Sequence, residues 1–205
     1  MLETRILNYL TKPSAAFTAA ITGIITSNGH GLVNEDKVQL TTTTTLPAGL
    51  ELTTDYYVRD VTTNTFKVST ILGGPAVTIT DTGTGTHTFN LKAKAVLVEG
   101  FEHVKISVNT ANSANLTIKF VGSDAEECPD FNAAQSPTNR FDYIDVIDIE
   151  DGSSIDGDTG LAPAGTDDQR HFAVNTDGLR WFSAVITAFT AGTIEVRVKP
   201  NKQYN

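Results

Sequence analysis

Apolar residues along this chain recur at every second position in short runs, and glycine, asparagine, aspartate or proline separates the runs. A period of two marks strands with one buried face. In DYYVRDV, Tyr56 and Val58 share one face, while Tyr57, Arg59 and Val61 share the other. Val38 and Leu40 alternate with polar residues. TFKVS places Phe66 and Val68 inward, with Thr65, Lys67 and Ser69 outward. VTIT and THTFNL continue the pattern through Val77, Ile79, His87, Phe89 and Leu91. The earlier stretch AAFTAAITGII, residues 15–25, predicts a strand with Phe17, Ala19 and Ile21 on one face. Asn64, Gly73-Gly74-Pro75 and the DTGTG tract at 81–85 supply turns, so this region is expected to form a small barrel or sandwich.

A second set of strands follows. VKISVN turns Val104, Ile106 and Val108 inward, and LTIKF does the same with Leu116, Ile118 and Phe120, the two being joined by a loop at TANSAN. YIDVIDI, residues 143–149, carries branched apolar residues, but its aspartates interrupt strict alternation and predict a bulge or an edge. RWFSAVITAF and TIEVRVK predict a closing hairpin around Thr190-Ala191-Gly192, with Ile194, Val196 and Val198 inward. This part is expected to be an antiparallel sandwich of Greek-key or jelly-roll type. The one candidate for a short helix is residues 4–11.

The tract QLTTTTTLPAGLEL, residues 39–52, has the look of a linker. Five β-branched residues in a row are stiff at χ1, whereas flexible linkers are rich in glycine and serine. Pro47 and Gly49, flanked by Leu46 and Leu50, shape a turn. The tract therefore reads as strand and turn inside a folded module, and the boundary between modules moves to near Asn90. The expected organisation is an N-terminal arm at 1–16, a small Thr-rich β module at 17–90 and a jelly-roll-like sandwich at 91–205. If the first strand of the sandwich comes from the arm, the module is an insertion.

Composition narrows the function. A formal charge of −9 with scattered lysines and arginines argues against a phosphate-backbone binder. The single cysteine, Cys128, excludes an intrachain disulfide and a multi-thiolate metal site. Its acidic neighbours in ECPDF oppose thiolate formation. Residues 15–25 are too short and too polar for a membrane span, and Glu3 and Pro13 make a poor signal peptide. His30, His87, His103 and His171 fall in no metal-ligand spacing; His30 is expected to be a turn histidine bonding backbone, and His87 a satisfied core residue. The acidic segment at 142–160 fails the EF-hand pattern, since the positions before Gly152 and Gly157 are wrong. Asp156-Gly157-Asp158 is left as an irregular oxygen cluster, with a solvated turn the simpler reading. No catalytic residue, cofactor or metal site is expected.

The pattern GHGL, DKVQL, LPAGL, DYYV, NTFKVS over residues 29–69, with GTGTHTF at 83–89, resembles a small β module found in structural proteins of tailed bacteriophages. The one departure is Asn34-Glu35-Asp36, where the pattern has a glycine turn before the aspartate. The tract LTIKFVGSDAEE and the later VNTDGLRWFSAVITAFTAGTIEVRV resemble the jelly-roll domains of phage decoration proteins, head fibres and tail-associated proteins; in the second tract Gly178 starts a turn, Trp181 or Phe182 fills the sandwich, and Gly192 turns the last hairpin. The resemblance implies a non-enzymatic virion protein, assembled in the host cytoplasm. It implies a capsid decoration or cement protein on the outer head, bound to the major capsid protein and to itself as a homotrimer, without nucleic acid or membrane. Leu2, Ile6, Leu7, Tyr9 and Leu10 of the arm are the expected contacts with a neighbouring subunit. The alternative is a tail, baseplate or fibre component that binds host glycan, and fold alone does not separate the two.

Overall fold

The computed structural model describes residues 5–7, 13–163 and 168–201. The described residues form fourteen strands and no helix, so the chain is all-β. They fall into two units: residues 10–92 form one, and the N-terminal strand with residues from 93 onward forms the other. Strand β1 (Arg5–Leu7) runs antiparallel to Val196–Val198 near the far end of the chain. Of the expected N-terminal arm and helix, Arg5–Leu7 are thus a strand of the second unit, whereas residues 14–16, expected in the arm, already belong to the other unit; the Thr-rich module is an insertion.

The inserted unit is a closed antiparallel barrel. Its strands are β2 (Ser14–Ala19), β3 (Ile25–Thr26), β4 (Lys37–Thr42), β5 (Asp55–Arg59), β6 (Thr65–Ser69) and β7 (His87–Leu91), in the order β2-β3-β6-β5-β4-β7 with β7 returning to β2. Closure removes the exposed edges that an open sheet would present. The alternating positions point inward as their spacing predicts: Phe17, Val38, Leu40, Tyr56, Val58, Phe66, Val68, Phe89 and Leu91 are all buried. Phe66 packs edge-on against both His30 and Phe89, with ring centroids 5.1 and 5.8 Å apart.

Three expectations need correction. Ile21 lies in the turn after β2 and is exposed, because the chain reverses at Gly23 (φ +77°). Ser69, expected outward, is buried and its hydroxyl donates to the Ile71 carbonyl. VTIT is not a strand: residues 76–80 pass beside the LPAGL turn, where Thr80 N donates to Ala48 O at 3.1 Å and Ile79 is buried.

The second unit is one antiparallel sheet built on two very long strands, β9 (His103–Ser123) and β14 (Trp181–Asn201). These pair along their whole length, from Trp181 opposite Ser123 to Asn201 opposite His103. TANSAN and Thr190-Ala191-Gly192 are therefore not hairpin loops. They are the two sides of one corner, where the register shifts three times between Ile186 and Thr193, and Asn112 and Ser113 take positive φ. Turn-forming residues here bend a ribbon instead of reversing it.

Beyond the corner, the first part of β9 is flanked by β13 (Asp168–Asn175), and then come β11 (Val146–Asp148) and β12 (Ser154–Ile155). The second part of β9 pairs with β10 (Asp142–Tyr143), while the start of β14 pairs with β8 (Ala95–Leu97). The sheet folds on itself, so that Phe120 meets Phe172 at 5.9 Å and Phe182 at 6.4 Å between ring centroids. Phe182, not Trp181, fills this core. Trp181 lies on the other face, beside Val121, Val185 and Phe131, and its indole donates to Ala125 O at 3.0 Å. Both faces are covered there, so WFSAV does not alternate in burial. YIDVIDI is broken at Ile144-Asp145 into β10 and β11, consistent with the interruption its aspartates predict.

Candidate functional site

In the barrel, the motif residues are structural from end to end. His30 is buried, and its Nδ1 accepts the Leu32 amide at 3.0 Å, the backbone-bonding role expected of a turn histidine. Glu35 takes φ +74° and so adopts the backbone shape that glycine provides in the resembling pattern. Asp36 closes the same turn by accepting the Val33 amide at 2.8 Å. Tyr56 Oη accepts the amide of Glu51 at 2.8 Å, which ties DYYV to the end of the LPAGL turn. Burial raises the Tyr56 phenol above its ordinary pKa, keeping it protonated at neutral pH.

The threonine run and GTGTHTF form one clasp. Thr45 exchanges backbone bonds with Thr84, the Thr43 amide donates to Thr86 O, and the Thr43 hydroxyl accepts the Thr86 amide at 3.0 Å. A Cβ on Gly83 would stand 2.6 Å from both Pro47 N and Thr45 O, so only glycine admits this approach. Asp81 accepts the amides of Ala48 at 2.7 Å and Gly83 at 2.9 Å, and these bonds hold its carboxyl below the usual range. His87 is buried as expected of a core residue: its Nε2 donates to Thr82 O at 3.1 Å and its Nδ1 meets the Thr42 hydroxyl at 2.9 Å.

Beside β2, a concavity of about 390 Å³ is lined by polar and apolar groups alike, among them Phe17, Thr18, Ser27, Asn28, Thr86 and His87. The connections that follow β2, β4 and β6 all leave the same end of the barrel, because neighbouring strands alternate in direction. Those connections carry Ile21, Leu52, Ile71 and Leu72, each more than half exposed. That end carries most of the barrel's exposed large apolar side chains among the described residues, Val33 lying on a connection at the other end.

In the sandwich, the acidic segment uses its carboxylates on its own turns. Asp145, Asp148, Asp151 and Asp156 accept the amides of Gly157, Glu150, Ser153 and Thr159 at 2.7 to 2.8 Å. Bonds from the Thr159 amide and hydroxyl hold the Asp156 carboxyl low, and Ser153 does the same for Asp151. The DGDTG cluster is thus a set of side-chain-bonded turns. Asp148 is also ion-paired with Arg170, whose guanidinium lies over the Phe172 ring at 5.2 Å. This pair lies outside the sequence-based expectations. Its one signal was an aspartate two residues after Val146, on the inward side of the alternation.

His171 and Ser107 face each other across β13 and β9, with Nδ1 and Oγ 2.8 Å apart on an exposed sheet face, and His103 is exposed at the start of β9. Cys128 is exposed in a loop. At one end of the sandwich, Glu99, Glu102, Asp124, Asp177 and Arg180 line a cleft of about 440 Å³. Of the expected subunit contacts, Ile6 and Leu7 lie in β1, opposite Arg197 and Val196 in register. Leu2, Tyr9 and Leu10 lie outside the described residues. The surface features of the two units are thus exposed apolar side chains at one barrel end, a concavity beside β2, and an acidic cleft in the sandwich. Comparison of the chain with family models, with characterised proteins and with solved structures returned no match.

Proposed function

We propose that this chain is a non-enzymatic structural protein of a tailed-phage virion that decorates the outer capsid surface and stabilises it across neighbouring subunits. The observation that carries the reading is the division of labour in the barrel. The residues that carry the resemblance, His30, Leu46, Leu50, Tyr56 and Phe66, are buried scaffold, whereas Ile21, Leu52, Ile71 and Leu72 are displayed on connections at one end. Exposed apolar side chains gathered at one end suit burial against a partner surface. Binding to assembled shells then stabilises them by mass action. The test is co-sedimentation of the purified protein with expanded capsids that lack it, followed by particle reconstruction. Saturable binding at a fixed capsid position, lost in an Ile71→Asp, Leu72→Asp variant, is expected; failure of the native protein to bind capsids refutes the reading.

A second reading, a tail component that binds host glycan, draws on the concavity beside β2. Its lining joins threonine, serine, asparagine and histidine side chains to Ala16 and Phe17 and carries no carboxylate or ammonium group, which suits a neutral polyol. Adsorption of the protein to bacteria, or retention on a glycan array, with no capsid binding would favour it.

A further inference from the structure

The connection from β3 to β4 opens with Asn28-Gly29, the only asparagine–glycine pair in the sequence. Both residues are exposed in a turn, and a Cβ placed on Gly29 would meet nothing within 4 Å. An asparagine followed by glycine carries a latent reaction, because no side chain on the second residue keeps its backbone nitrogen away from the asparagine amide. The Gly29 nitrogen, on losing its proton, bonds to Asn28 Cγ, and the side-chain nitrogen leaves as ammonia. Water then opens the five-membered imide at either carbonyl. One opening gives aspartate; the other gives isoaspartate, in which the backbone runs through the side chain. No oxidant or reactant besides water is needed.

One contact opposes the first step. The Gly29 N–H donates to Asn64 Oδ1 at 3.0 Å, which engages the proton that must leave and fixes the peptide plane. Asn64 also accepts the Ser27 amide through its backbone carbonyl at 2.9 Å, so the turn is clamped on both sides of Asn28. We infer that Asn28 is a site of self-modification and that Asn64 is the guard that sets its rate. The consequence falls on the concavity beside β2, whose lining includes Asn28 and carries no carboxylate or ammonium group. Conversion puts a carboxylate there. The isoaspartate product also lengthens the backbone two residues before His30, whose buried ring accepts the Leu32 amide. The concavity therefore has a limited lifetime in its neutral form. This chemistry belongs to the free protein and rests on neither the capsid nor the glycan reading.

The test holds the purified full chain at mildly alkaline pH and samples it by ion-exchange chromatography and peptide mass mapping, with isoaspartate read by enzymatic methylation. A more acidic species should accumulate, its change confined at first to Asn28, and Asn28→Gln should abolish it. Asn64→Ala should speed conversion about three- to tenfold, the range that loss of one hydrogen bond spans. Asn64→Asp, which keeps the acceptor, should convert at the wild-type rate. Thr62→Ala loosens the turn around Asn64, because the Thr62 hydroxyl accepts the Thr65 amide at 3.0 Å, but it leaves the guard in place. Its rate should stay near that of the wild type, which separates loss of the guard from general loosening. Earlier conversion at another asparagine, an unchanged rate in Asn64→Ala, or equal acceleration in Asn64→Asp or Thr62→Ala overturns the proposal.

Discussion

Gly192 sits where β14 turns the corner of the folded sheet, with φ +89°, and an ideal Cβ there would stand 2.2 Å from the Cα of Ala114 and 2.7 Å from its nitrogen. Both obstructing atoms are backbone, so no side chain can swing aside. An L-residue in the left-handed region costs about 1–2 kcal/mol. Forcing a methyl into a filled site costs about 1–3 kcal/mol more. Gly192→Ala should therefore destabilise the sandwich by about 2–5 kcal/mol, a large part of a typical domain's stability of about 5–15 kcal/mol. Gly152 separates the two contributions, because its φ is +74° but nothing lies within 4 Å of its Cβ position. Gly152→Ala should lose only the conformational part, about 1–2 kcal/mol. Urea unfolding followed by fluorescence suits the comparison, since Trp181, the chain's single tryptophan, belongs to this unit. Equal losses in the two variants would refute the reasoning, because they would mean that the corner is not closed against Ala114.

Three further outcomes follow from the same geometry. Asp81 has a folded pKa below its unfolded one, so the unfolded state binds more protons; its contribution is full above the unfolded value of about 4 and is lost as pH falls through the lowered folded value. The protection of the Ala48 and Gly83 amides against exchange, corrected for the intrinsic rate at each pH, should fall on acidification through that window, and Asp81→Asn should flatten the change. Arg170→Ala leaves Asp148, whose side chain is 2% exposed, without its counter-charge. A loss of about 2–3 kcal/mol in urea unfolding is expected, below the figure for a fully buried pair because Arg170 reaches solvent. Glu35→Gly should raise barrel stability by about 0.5–1 kcal/mol, since glycine adopts positive φ without the steric cost that Glu35 bears at +74°; a lower thermal midpoint would contradict this.

Local alternation was enough to identify the barrel's inward faces, because each of its strands keeps one face in the core: Tyr56 and Val58, or Phe66 and Val68, needed no tertiary information. It misassigned VTIT, residues 77–80, where Ile79 is buried from a loop and not from a strand. The corner was misread because Asn112, Ser113 and Gly192 have the same left-handed preference in a bulge as in a hairpin, and only pairing along the whole of β9 and β14 distinguishes the two. The Asp148–Arg170 pair depends on register between strands distant in sequence, which no local pattern encodes. The strand at Arg5–Leu7 was hidden for the same reason: its partner is Val196–Val198.

The insertion also dictates an order of events on the ribosome. Every strand of the barrel lies between Ser14 and Leu91, and Leu91 N donates to Pro13 O at 2.7 Å, so the barrel can close while most of the chain is still unmade. The sandwich has no such freedom. β1 emerges first and must wait for Val196–Val198, and all 21 residues of β9 appear long before β14 can cover them. Through that interval the nascent protein holds a finished barrel and a long strand whose β14 edge is still unpaired, the kind of species that aggregates. Translation rate and chaperone supply, more than the final stability of either unit, should then decide how much protein reaches its folded state.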